Sequence, residues 1–419
     1  MNKPVLWIVN QYSITPEYPA STRHCELARM LSNQYDVKVW GSNFIHPNKA
    51  FRFSRWTLFK NEPMEGFEFH WLGANAYRGN GMGRMINMLV FACVLFLVGS
   101  VKGPKPHVII GSSPPLFTAF SCMLLARFRR SKFVLEVRDL WPDSLEVRPG
   151  RLNRIWFRAL KWMERVLYGK ANAIVTLTEG IQQEVVGRAG DLKPITFIPN
   201  GVSMDLQSPR LLENERLEQR RRVGIHHHEI VFMYMGAHGP ANDLKQLLQA
   251  MQAKEIQQSG LPIRLVLQGE GPEREYLINY VKEHKLESDV RFLKAVPKQD
   301  IHRYLSIADV FVICLKPIPL YEGALPNKLF DYMLHDKPIL STVGGEIEQF
   351  LMKYECGVAG NMRDIGPRYL PNRMVELANQ VARGSDNGKR RRGADIIRSE
   401  YNREQQAERL AALIDQLLK

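Results

Sequence analysis

Short, near-continuous apolar runs alternate with helical stretches along the whole chain. In the first half they are VLWIVN (5–10), VKVWG (37–41), HVIIGS (107–112), KFVLEVRD (132–139), AIVTLT (173–178) and ITFIPN (195–200). In the second they are IVFMYMG (230–236), IRLVLQG (263–269), VRFLKA (290–295), VFVICL (310–315) and PILSTV (338–343). A strand covered on both faces has no polar alternation, so these runs predict parallel sheets sandwiched between crossover helices. The α/β class follows, as two doubly wound, Rossmann-like domains facing across a cleft. The alternation stops at PNGVSMDLQSP (199–209) and the highly charged LLENERLEQRRRVGIHHHE (211–229), then restarts. That break predicts an N-terminal domain over 1–204, a linker over 205–229 and a C-terminal domain over 230–393. A terminal helix over 394–419 follows, free to cross back to the N-terminal domain.

Two segments depart from this pattern. MINMLVFACVLFLVGSV (85–101) is uncharged and bracketed by Arg84 and Lys102. As a helix of about 26 Å it falls short of a hydrocarbon core of about 30 Å, which favours a buried or membrane-dipping helix over a span. RLNRIWFRALKWMERVLYGK (151–170) places Arg151, Arg154, Arg158, Lys161 and Arg165 three and four residues apart, on one helical face. Such a face suits an anionic membrane surface, and equally a solvated side over a buried stripe.

A length of 419 residues suits two domains, and 45% hydrophobic with 24% charged residues excludes a disordered or collagen-like chain. The five cysteines, Cys25, Cys93, Cys122, Cys314 and Cys356, are scattered without any C-x-x-C pair. This points to a reducing, cytoplasmic compartment. MNKPVLWIVNQY reads as a first strand rather than a secretory leader. The net charge is +14, and residues 1–200 hold 26 basic against 14 acidic residues while the remainder holds 31 against 29. The first half should therefore meet an anionic partner. No nucleic-acid module accompanies the charge, so nucleic acid is not expected.

There is no Walker loop, nucleophile elbow, HExxH motif or EF-hand, and no G-x-G-x-x-G after the first strand. Instead, glycine turns close strands of the second half. Gly236 and Gly239 follow IVFMYM, and Gly269 and Gly271 follow IRLVLQ. Backbone N–H groups at such turns can hold phosphate, outside the carboxyl ends of strands where open α/β sheets bind ligands. The loop carrying Glu322, Pro326, Asn327 and Lys328 leads to Asp331. A lysine and a carboxylate three residues apart suit a nucleotide, the cation for diphosphate and the acid for ribose; they equally suit a capping acid beside a solvated lysine.

The ordered set PNGV (199–202), GAHGPANDL (236–244), QGEGP (268–272), RFLKAVPKQDI (291–301), ADV (308–310) and LPNKLFDYMLHDKPIL (325–340) resembles glycosyltransferase family 4. VRDLWPDS (137–144) resembles its subgroup that builds bacterial O-antigen and capsule units on polyprenyl diphosphate. The resemblance implies a retaining, sugar-nucleotide-dependent enzyme of GT-B fold. It places the donor diphosphate against the Gly236–Gly239 turn and Lys328, with Gly269, Gly271 and Pro326 nearby. Ribose falls on Asp331 and the nucleobase near Lys294 to Val296. Arg23 would face the donor phosphates or the acceptor. Arg138 and Asp139 would line the sugar site, with Asp143 close behind. Two departures stand out: the first of the family's paired glutamates aligns with Gly323, one residue after Glu322, and GAHGPANDL lacks a cation before Lys245.

The implied activity moves a sugar, an N-acetylated amino or deoxyamino sugar by subgroup, from a UDP-sugar to a polyprenyl-diphosphate-linked saccharide. No metal or cofactor is implied. The expected location is cytoplasmic, bound peripherally to the inner face of the membrane. A UDP-sugar epimerase of the same fold and a non-enzymatic membrane-surface protein are the alternatives.

Overall fold

The structure, a computed structural model, describes residues 3–18, 22–46, 49–79, 81–145, 151–189, 193–203, 212–318, 321–361, 365–384 and 393–419; of residues 151, 152 and 299 only the backbone is described. The chain divides into two compact units. Unit 1 comprises Met1–Ser203 with Arg403–Lys419, and unit 2 comprises Met204–Asn402.

Unit 1 is built on β1 (Val5–Val9), β2 (Asp36–Ser42), the small pair β3 (Phe44–Ile45) and β4 (Ala50–Phe51), β5 (Phe59–Pro63), β6 (Glu68–Leu72), β7 (Val108–Ser113), β8 (Lys132–Val137), β9 (Ala173–Thr176) and β10 (Ile195–Phe197). Eight of them form one sheet in the order β10-β9-β8-β7-β1-β2-β6-β5, parallel except for β5 against β6. Successive side chains point to opposite faces. Trp7, Val9, Ile109, Phe133 and Leu135 therefore join one core, and Leu6, Ile8, Val37, Ile110 and Val134 the other. With both faces covered, the strands read as unbroken apolar runs.

The first core is closed by α2 (Met82–Val101), α3 (Leu116–Arg129), α4 (Arg151–Lys170) and α5 (Glu179–Ala189). The second is closed by α1 (Arg23–Leu31) and the terminal helix Arg403–Leu418, whose Leu410, Leu413 and Ile414 are buried there. α2 buries Asn87, Met88, Phe91, Ala92, Leu95, Val98 and Gly99, while its opposite side stays exposed. By length and composition it could cross a membrane, yet it packs along α3.

Unit 2 carries β11 (Ile230–Met235), β12 (Ile263–Gln268), β13 (Val290–Leu293), β14 (Val310–Ile313), β15 (Ile339–Ser341) and β16 (Gly357–Ala359). They form a wholly parallel sheet in the order β13-β12-β11-β14-β15-β16. The winding direction reverses between β11 and β14, and in open α/β sheets the crevice at that reversal is where ligands bind.

The stretch expected as a linker contains a helix, Glu213–Arg222, that belongs to unit 2. Its Arg216 and Arg220 both pair with Asp309 just before β14, at 2.5 and 2.6 Å. The terminal stretch is two helices, Gly393–Glu400 in unit 2 and Arg403–Leu418 in unit 1.

Candidate functional site

The loops after β11 and β12 are sewn together by backbone. Gly236 N–H donates to the Gln268 carbonyl at 2.9 Å, His238 N–H to Glu270, and Glu273 N–H to His238, each also at 2.9 Å. Glycine is required by this approach. Gly269, at φ +146°, would place a Cβ 1.8 Å from the Gly236 carbonyl oxygen, and Gly271, at φ +158°, would place one 2.3 Å from the His238 carbonyl. A Cβ on Gly236, at φ +154°, would lie 2.7 Å from Lys328 Nζ. Gly239 differs, since its nearest neighbour would be Pro272 Cδ at 4.0 Å.

Lys328 rides on the short helix Asn327–Met333, entered through Pro326 in an extended conformation. The helix is fixed to the end of β11 by Tyr332, whose hydroxyl accepts the Met235 N–H at 2.9 Å. Lys328 Nζ hangs 3.9 Å over the Tyr234 ring, and the Tyr234 hydroxyl donates to the Ala237 carbonyl at 2.9 Å. Among the described residues no carboxylate pairs with this ammonium, and burial lowers its pKa to about 7. A lysine whose charge is suppressed by burial, beside backbone that only glycine can form, favours an anion in electrostatic terms.

Unit 2 thus brings Gly236, Gly269, Gly271 and Lys328 together, with Gly239 in the same turn. Pro326 and Asp331 come on the helix of Lys328, and Asp331 is half-buried. Val296 is half-buried in the loop after β13, which Gln268 Nε2 holds by donating to the Lys294 carbonyl at 3.2 Å. Glu322 is half-buried as well; its Oε1 accepts from Asn361 Nδ2 at 2.8 Å and its carbonyl from the Glu346 N–H at 2.7 Å. Sequence reasoning missed His238. Its side chain is buried in the first glycine turn with no hydrogen-bond partner at either ring nitrogen among the described residues. Burial, then Arg274 and Lys328, push it down to about 4. The signal was the histidine between the two glycines of GAHGP.

Unit 1 places the remaining candidates. Arg23, expected to face the donor phosphates or the acceptor, is 1% exposed, and its guanidinium donates to Glu136 Oε1 at 3.0 Å, the Pro199 carbonyl at 2.5 Å and the Ile198 carbonyl at 2.8 Å. It ties α1 to the ends of β8 and β10. Its partner Glu136 also accepts from Ser112 Oγ at 2.5 Å and meets His24 Nε2 at 2.8 Å. Burial would raise the Glu136 carboxyl, but His24, Arg23 and Arg138 outweigh it and hold it well below the usual range. Arg138 and Asp139 follow at the carboxyl end of β8. Burial lowers the first and raises the second.

Asp143 is engaged by Lys161 at 2.6 Å and Arg188 at 2.7 Å, a clamp between α4 and α5 rather than a free acid. Lys161 also pairs with buried Glu164, which removes it from the solvated stripe. Arg154, Arg158 and Arg165 are exposed; the Arg151 side chain lies outside the described residues.

Two parallel doubly wound units, one with an anion-seeking lysine and paired glycine turns at its winding reversal, define the class of sugar-nucleotide transferases of GT-B architecture. Family models agree: residues 20–201 match the glycosyl transferase 4-like domain and residues 215–365 match glycosyl transferases group 1. The chain belongs to this family and is a glycosyltransferase.

Sucrose-phosphate synthase from Thermosynechococcus elongatus superposes with a TM-score of 0.74 at 15% identity, covering 99% of each chain. WaaG, a glycosyltransferase involved in lipopolysaccharide biosynthesis, does so with 0.68 at 13% identity over 98% of this chain and 99% of its own. HepE from Anabaena, solved in complex with UDP, gives 0.68 at 12% identity over 99% of this chain and 100% of its own. In sequence, TuaH of Bacillus subtilis (strain 168), by name a teichuronic acid biosynthesis glycosyltransferase, is 23% identical over 234 residues. That match spans 52% of each protein, so the chain covers about half the length of this relative.

Proposed function

We propose that the chain transfers a sugar, an N-acetylated amino or deoxyamino sugar, from a UDP-sugar to a polyprenyl-diphosphate-linked saccharide. The product would be a bacterial surface polysaccharide such as O-antigen or capsule, with retention at the anomeric carbon. The observation that carries this reading is the Lys328 ammonium, uncompensated and 3.9 Å above Tyr234, beside the glycine turns. A diphosphate there restores the charge that burial suppresses, and the same contact strengthens as negative charge develops on the leaving group. Asp331 would take the ribose and the Val296 loop the base. The UDP complex of HepE supports the choice of nucleotide, and the names of WaaG and TuaH support a surface polysaccharide.

In the reaction the bond from the anomeric carbon to the diphosphate oxygen breaks and one to the acceptor hydroxyl oxygen forms. The hydroxyl proton passes to the departing diphosphate, with Asp139 as the second candidate base. The enzyme works at the cytoplasmic face of the membrane, where such an acceptor is anchored.

The test is titration of UDP by calorimetry together with turnover of UDP-N-acetylhexosamines, with and without a polyprenyl-diphosphate saccharide, read by mass spectrometry. Lys328→Ala should lose UDP affinity and acceptor-dependent transfer. Conversion of UDP-sugar alone to a new UDP-sugar would instead establish an epimerase.

A further inference from the structure

The donor reading leaves a charge unmet. A sugar nucleotide carries a negative charge on each phosphate of its diphosphate, and Lys328 can answer one of them. Residues 236–244 contain no lysine or arginine. Arg274, which opens the helix Arg274–Glu283, is paired with Glu270 at 3.6 Å. Lys245 stands over the rings of Tyr276 and Tyr280, at 5.7 and 5.4 Å. The group of the first turn that can still become positive is His238.

His238 is 0% exposed and lies between Tyr234 of β11 and Phe292 of β13, with ring centroids 6.3 and 6.1 Å away. Its Nε2 would be 3.3 Å from a Cβ on Gly269. Backbone bonds to Glu270 and Glu273 on either side fix it in the seam where the two glycine turns meet. Yet neither ring nitrogen has a hydrogen-bond partner among the described residues, and the buried Oε1 of Gln268, one residue before Gly269, has none either. A buried polar group left unpaired works against folding, so an imidazole kept in this seam asks for a role in the site.

The charges acting on the ring are Arg274 and Lys328, both cations. Glu270 is engaged by Arg274, and the Glu273 carboxyl is raised by burial and then by Asp243, against Lys316. Burial and those two cations keep the empty ring neutral. The same dry surroundings make it responsive, because an arriving anion acts on it with little screening.

We propose that His238 is a conditional cation of the donor site: neutral while the turns are empty, it takes up a proton from solvent when a nucleotide diphosphate stands beside Lys328. This rests on the donor reading above. The imidazolium balances the charge that Lys328 leaves over, and it is in place before the glycosyl bond breaks and the diphosphate becomes more negative. His238 acts by its charge through the turn, which makes it a positioning residue.

Titration calorimetry of the full chain with UDP-N-acetylglucosamine, whose diphosphate does not itself titrate near neutrality, counts protons taken up when it is repeated in buffers of differing ionisation enthalpy. At pH 5.5 Lys328 is already protonated, so uptake there reports His238. A rise from about 4 in the free protein to about 6 in the complex gives about 0.7 proton, and an affinity that falls about fivefold from pH 5 to pH 6. His238→Gln, polar but never charged, should lose both the uptake and the fivefold step and keep the decline above pH 7 that belongs to Lys328. His238→Phe should behave alike, with a urea midpoint no lower than that of the native chain, since it removes an unpaired polar group. Binding without uptake by the native chain at pH 5.5 overturns the proposal whatever the variants do, and so does uptake that survives in His238→Gln. A native chain that fails to bind the UDP-sugar at any pH refutes the donor reading itself, and this proposal with it.

Discussion

The donor site proposed at Lys328 should make UDP binding a function of pH. With its pKa near 7 in the free protein, against an ordinary value of 10.5, it is protonated below neutrality and neutral above. In the proposed site UDP binds the ammonium, so affinity should weaken by up to about tenfold per pH unit above pH 7, and Lys328→Met should flatten the profile at the weak limit. Calorimetry from pH 6 to 9 reads both. Stability runs the other way. Between about 7 and 10.5 the unfolded chain binds the extra proton, so this lysine makes unit 2 more stable as pH rises through that window.

The glycines give a paired prediction. Gly269→Ala drives a methyl to 1.8 Å from the Gly236 carbonyl at an unfavourable φ and should cost about 2 kcal/mol or more, with loss of UDP binding. Gly239→Ala meets nothing closer than 4.0 Å and should leave both nearly unchanged in denaturant titrations. At this scale the sequence showed residue type and local turn, which suffices for Gly236, Gly269 and Lys328. It could not show that Arg23 is held by Glu136 and by the carbonyls of Ile198 and Pro199, since those partners lie more than a hundred positions away.

Among elements, each strand with a continuous apolar run was legible, because burial on both faces writes itself into composition. The short edge strand Phe59–Pro63 was not; its half-exposed FKNEP carries charge at an edge that has no second neighbour to bury it. The helix Glu213–Arg222 was equally hidden, because its charge reads as solvated until its partners are seen. Arg220 is 2% exposed, bonded to Asp309 and to the Ile307 carbonyl, and the Val231 N–H donates to the same Asp309 at 2.8 Å. Asp309→Ala strands a buried guanidinium and should destabilise unit 2 by about 3 to 5 kcal/mol. UDP affinity below the unfolding transition should be kept, because Asp309 lies at the amino end of β14, opposite the glycine turns. Urea unfolding with and without UDP tests both statements.

For the whole molecule, the consequential fact is that the chain leaves unit 1 at Ser203, builds unit 2 and returns at Arg403. The apolar pattern of 394–419 does not say which unit it joins, since both offer apolar faces; the charges decide. Arg403 is 2% exposed, pairs with Glu26 of α1 at 3.0 Å and donates to the Gly201 carbonyl at 2.6 Å, while Tyr35 donates to Asp415 at 2.5 Å. Unit 1 is therefore incomplete without the last residues of the chain. Ile414, wholly buried between α1 and the sheet, should cost unit 1 about 2 to 5 kcal/mol on replacement by Ala. UDP at a hundredfold over its dissociation constant should stabilise unit 2 by about 2.7 kcal/mol. In calorimetric scans of Ile414→Ala with UDP the two effects move apart: a lower transition shifted by the mutation and indifferent to nucleotide, and an upper one raised by nucleotide and indifferent to the mutation. A single transition responding to both would mean that the returning helix couples the units into one cooperative fold, and nucleotide would then raise the stability of unit 1 along with that of unit 2.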